Sequence, residues 1–140
     1  MAENRESFCL RALTRGEGLA SIIASRHIEK AKHNADFAAS LINTKFKDWL
    51  IVGSFYLALH YVDAHAAKKR IKFEVLPGDE TMHGLRRRYV RSKLRNLFNA
   101  YERLFQESMN ARYDPIYLKQ IKVDPAKLFE LALKFEKIDP

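Results

Sequence analysis

Three polar side chains stand close together in the most apolar part of this 140-residue sequence. Tyr56, His60 and Asp63 lie at i, i+4 and i+7, a spacing that puts them on one face if the segment is helical. A histidine beside a carboxylate can take up and release a proton near neutral pH. Buried without partners, each such group would cost about 1–3 kcal/mol, so folding must bring partners to it. His83 and Arg112, farther along the chain, are the candidates, and His60, Asp63, His83 and Arg112 together form a candidate catalytic or ligand site. Two roles are open to it. One is a structural tie, with Arg112 salt-bridged to Asp63 and His60 bonded to a backbone carbonyl; the other is acid–base chemistry by the same groups. The structural tie is the favoured reading.

A second set of side chains suits a different task. Arg87, Arg88, Arg91 and Arg95 fall within roughly one third of a helical circle, beside an apolar stripe rather than inside it. The guanidinium fork donates two hydrogen bonds at once to a phosphate. The formal net charge of +8 points the same way, toward RNA or another polyanion. Phosphate contacts of this kind carry no base specificity. The competing reading is a solvated surface with salt bridges to Glu102 or Asp79.

Other chemistries find little support. The pairs His27/His33 and His60/His65 lack the i, i+4 spacing that aims two imidazoles at one ion, so no metal site is expected. No cofactor is expected either, since glycine-rich phosphate loops and nucleophile motifs are absent. A single cysteine, Cys9, excludes an intrachain disulfide and a cysteine-rich zinc site.

The elements that must position these residues are helices. Residues 1–17 lack sustained periodicity and are expected to be irregular, leaving 18–140 as one domain. Ala24, Ile28, Ala31, Ala35, Ala38 and Ile42 make a narrow stripe on a first helix reaching from Gly18 to Ile42. Leu19, Ile23, Phe37 and Leu41 give that helix a second apolar face. A second helix, Lys47 to Arg70, is apolar on most sides and should be central. Its apolar length raises the question of a membrane, but His60, Asp63 and His65 within it and lysines at both ends exclude a span. Pro77-Gly78 signals a turn, and Asp79, Glu80 and Thr81 supply capping chemistry for a third helix from Met82 to Ser108. After an irregular stretch from Asn110 to Val123, Asp124-Pro125 reads as N-cap and N1 of a last helix with Leu128, Leu131, Ala132 and Phe135 inward. No segment alternates as a strand would. The expectation is an all-α fold, an antiparallel bundle of four to five helices, in a cytoplasmic protein.

The run Asp48-Trp49-Leu50-Ile51-Val52 through Phe55-Tyr56-Leu57-Ala58-Leu59-His60 resembles the second helix of HEPN-domain proteins. So do His83 with Arg86 opening the next helix, and Ser108-Met109-Asn110-Ala111-Arg112-Tyr113-Asp114 after it. The resemblance covers roughly residues 27–118. It implies a HEPN-like bundle that forms a homodimer, in a family whose members include metal-independent endoribonucleases of toxin–antitoxin, CRISPR-linked and other defence systems. Some members pair with a nucleotidyltransferase. The family's ribonuclease motif is an arginine followed after four to six residues by histidine. After Arg112 the permitted positions hold Tyr117, Leu118 and Lys119, so the motif is not intact. Arg26 and His33 have the spacing, but in the first helix, where the family does not place it. Arg112 would still suit stabilisation of a charged phosphorus centre, whereas Tyr117 is a poor base at neutral pH. The expectation is therefore binding of RNA or another polyanion, with cleavage not relied upon. The alternative is a non-catalytic dimeric module serving a protein partner.

Overall fold

An alanine stripe and a helix that is apolar all round meet first along the chain, and their packing sets the frame. In the computed structural model, which describes residues 17–78 and 80–138, helix α1 spans Glu17–Ser40 and helix α2 spans Lys47–Lys68. Residues 1–16 of the N-terminal segment expected to be irregular, with Cys9 among them, and Asp79 lie outside the described residues, while Glu17, the last residue of that segment, already opens α1. Ala24, Ala31 and Ala38 of α1 are buried completely, and their small side chains let the two helices approach closely. The pair is antiparallel: as the chain advances along α1 from His27 to Phe37, its neighbour on α2 falls back from His60 to Gly53. The turn between them is held by Thr44, whose hydroxyl donates to the Leu41 carbonyl at 2.8 Å, and by the Lys47 ammonium on the Ile42 carbonyl.

Helix α2 is the central element, as its apolar circumference requires. Between Leu50 and Ala67 nearly every side chain is buried, and α2 packs on α1 as well as on two helices that follow. No helix among the described residues is long and apolar enough to cross a membrane. At its end the chain reverses through Arg70, in the left-handed region at φ 60°. The Ile71 N–H then reaches the Ala66 carbonyl at 2.8 Å and the Arg70 N–H the Ala67 carbonyl at 2.9 Å. This is the Schellman arrangement, here closed without a glycine.

The third helix is shorter than its periodicity suggests, and the long helix expected from Met82 to Ser108 is two. Helix α3 spans Met82–Lys93 and helix α4 Phe98–Tyr113, joined by a 3-10 turn at Arg95–Leu97. On one straight helix, Leu85 and Tyr89 would face roughly a third of a turn away from Tyr101 and Leu104. All four are buried, so the chain must re-aim between them. It does so at Leu94, which leaves helical geometry at φ −130°, ψ 51°. Thr81 caps α3, its hydroxyl oxygen accepting from the Gly84 N–H at 3.1 Å. The irregular stretch expected from Asn110 begins only after Tyr113. Arg112 therefore sits in the last turn of α4.

Helix α5 spans Pro125–Leu133, with Pro125 opening its first turn and the Asp124 carboxylate accepting from the Ala126 N–H at 3.0 Å. Leu128, Ala132 and Phe135 close the core against α2. The result is an all-α helical bundle arranged around α2.

Candidate functional site

The polar face of α2 is satisfied by three different helices, one for each side chain. Tyr56 meets Arg112 from α4, whose Nη1 donates to the phenolic oxygen at 2.9 Å. The Arg112 guanidinium also lies over the Tyr56 and Tyr113 rings, with centroids at 5.5 and 5.2 Å. His60 meets His27 from α1. Their Nδ1 atoms are 3.1 Å apart, so one ring donates its N–H to the other, and the rings stack at 5.4 Å. Asp63 meets Arg86 from α3 in a two-pronged salt bridge, Nε to Oδ1 at 2.8 Å and Nη2 to Oδ2 at 3.0 Å.

The expected Arg112–Asp63 pair is therefore not formed, and Arg86 takes that place. Seven residues of helix separate Tyr56 from Asp63, about 10 Å, so the arginine that α4 delivers beside Tyr56 does not serve Asp63. Nor does His60 bond a carbonyl, since the ring of His27 occupies that side. His83 is set apart as well. It lies against Phe55 and Phe105, at centroid distances of 5.9 and 5.3 Å, and its Nδ1 is buried with no hydrogen-bond partner.

Burial dominates the electrostatics. It pushes His60 down to about 4 against the pull of Asp63, with His27 and Arg86 adding to the drop. His83 is lowered by burial too, and by the charges of Arg86 and Arg112. Both imidazoles are therefore neutral at physiological pH. Burial opposes the charge of Arg86, but its bonds to Asp63 outweigh this and hold the guanidinium more basic than usual. Beside this group a cleft of about 290 Å³ opens between α1, α2, α3 and the segment after α2. His27, Asp63, Arg86 and Lys72 line it, with Ile23, Ile71, Phe73 and other apolar groups.

Two residues of this assembly, His27 and Arg86, are ones that reasoning on the α2 face does not supply. Arg86 carries a signal in the sequence, three residues after His83 at a helix start. His27 carries none, because a spacing rule applied within one helix cannot see ligands from two. Yet His27, His60 and Asp63 each offer a ligand atom, all within 4.8 Å of one another, so a metal ion is a chemistry the arrangement can support.

Arg87, Arg88 and Arg91 lie on α3, but Arg95 falls beyond the break at Leu94, so the four do not share one helical arc, and two of them are paired. Arg87 donates to both carboxylate oxygens of Glu102, at 2.5 and 2.7 Å, and Arg88 lies 3.1 Å from Glu80. Arg91 is exposed over the Phe98 ring at 4.9 Å, and Lys93 and Arg95 are exposed at the end of α3 and in the turn after it. Arg26 and His33 are exposed on α1, away from the α2 face. Tyr117, at the first motif position after Arg112, donates its hydroxyl to Glu107. Burial and that bond push its pKa further up, away from any role as a base. No family model matches the chain, and no curated protein or solved structure matches it.

Proposed function

We propose that this chain is a HEPN-like helical-bundle protein that binds RNA through the end of α3 and the turn that follows. The observation that carries the reading is that Arg91, Lys93 and Arg95 are each exposed at the end of α3 and in the turn after it, where no carboxylate among the described residues pairs with them. Phosphate oxygens are the natural counter-charges for such cations. Binding rather than cleavage is the proposed activity: Arg112 is engaged by Tyr56, and Tyr117 is tied to Glu107. Fluorescence anisotropy with a labelled single-stranded RNA tests this at low and moderate salt. Exchanging Arg91 and Arg95 together for glutamine should weaken binding and lower the salt slope by about 1–2, with helicity unchanged. A parent that binds no RNA at low salt would refute the proposal. Gel analysis of the same mixtures reports any cleavage.

A second reading has its own observation. Phe37 of α1 and Trp49 of α2, exposed at 41% and 51%, lie around Gly53 where the two helices cross, with Phe46 exposed nearby. Apolar groups left together on the surface suit a protein partner, a second copy first. On this reading the chain is a non-catalytic, dimeric interaction module.

A further inference from the structure

We propose that His27, His60 and Asp63 form a binding site for one divalent transition-metal ion of the Zn(II), Co(II) or Ni(II) type. Two imidazoles from different helices face each other, Nδ1 to Nδ1 at 3.1 Å, and the Asp63 Oδ2 lies 4.0 Å from the Nδ1 of His27. Ligands about 2.0–2.1 Å from a tetrahedral ion are about 3.3 Å apart, so the first of these distances already fits and the second closes by a small shift. The side chain best placed to make that shift is His27, 30% exposed at the edge of the cleft, whereas Asp63 is held.

The surroundings are those a metal centre needs. Arg86 grips both carboxylate oxygens of Asp63, which fixes the carboxylate's orientation as an outer-shell hydrogen bond does in metal sites. Each oxygen keeps a second lone pair for an ion. Two imidazoles and one carboxylate suit zinc and its neighbours better than magnesium or calcium, which prefer oxygen. Three protein ligands leave a fourth position open. His27 and Asp63 both line the cleft of about 290 Å³, which supplies an entry path, and Lys72 and Arg86 on its wall favour an anion as the fourth ligand. The Arg86 charge also disfavours a bare dication, so an ion carrying hydroxide or phosphate fits best.

The inference is independent of RNA binding at α3, and its test uses the metals alone. The full chain, stripped with a chelator, is titrated with Co(II) and followed by visible absorption, then challenged with Zn(II). The expected result is one Co(II) per chain, displaced by Zn(II), with X-ray absorption of the Zn(II) form showing two imidazoles. His27→Gln and His60→Gln should each weaken Co(II) binding by about tenfold or more. His33→Gln, exposed on the same helix as His27, should leave it unchanged. A parent that binds no stoichiometric metal overturns the proposal, as does a coordination sphere with fewer than two imidazoles. Because both readings come from the unmodified chain, a poorly folded variant does not rescue it.

Discussion

Asp63 and Arg86 are each buried beside the other, and that mutual dependence sets their energetics. Their side chains are 8% and 13% exposed, and the bridge uses both oxygens and two guanidinium nitrogens. Removing one member strands the other charge, which typically costs about 3–5 kcal/mol. Asp63→Ala and Arg86→Ala should each lower the unfolding free energy by that order in urea melts. Arg112→Ala loses a bond to a neutral phenol and a ring contact, in a partly buried setting, and should cost only about 1–2 kcal/mol. The ranking is the check. An Arg112 variant that destabilises more than the Arg86 variant would contradict the pairing. The histidines make an independent prediction. His60 titrates at about 4 when folded, below the ordinary imidazole value, and His83 is lowered too. Between about pH 6.5 and 4 the unfolded chain therefore binds protons that the folded chain refuses, so stability falls as the pH falls through that window. Denaturation midpoints in chelator-containing buffers should show this loss. His60→Gln should flatten it, leaving the part due to His83.

Element-level behaviour rests on the alanines of α1. Ala31 is buried completely in the hydrophobic core, on the stripe that α1 turns toward α2, where there is no room for added atoms. Ala31→Leu should force the two helices apart and cost about 1–3 kcal/mol, seen as a lower thermal midpoint. The same change at Ala39, exposed on that helix, should be nearly neutral. Moving α1 outward would also part His27 from His60, so the core alanines and the polar cluster share one dependence. Gly53 adds a constraint of its own. A Cβ there would meet the Phe37 ring at 3.0 Å, so glycine lets that ring lie across α2.

Across the whole molecule, charge and apolar exposure divide between different surfaces. Arg91, Lys93 and Arg95 are exposed at the end of α3 and in the turn after it, while Phe37 and Trp49 sit where α1 crosses α2. Under the second reading, the apolar patch joins two copies. Light scattering at micromolar concentration should then give a dimer mass, and Phe37→Glu should return a monomer without changing the salt dependence of RNA binding. A monomeric parent would count against self-association.

The helical class, the central place of α2 and the capping of α3 and α5 were all legible from the chain, because each follows from local signals. The spacing of Ala24, Ala31 and Ala38, the unbroken apolar character of 50–67 and the Thr81 and Asp124-Pro125 caps act over a few turns at most. The bend at Leu94 was harder to read. Its cause is a conflict between two directions of burial, Leu85 and Tyr89 against Tyr101 and Leu104, and neither half shows it alone. The need for partners at Tyr56, His60 and Asp63 was also local, since it follows from polar atoms on an apolar helix. Their identities were not. Which arginine reaches Asp63, and that His27 reaches His60, depends on where α1, α3 and α4 cross α2, a matter of packing between segments 23 to 56 residues apart.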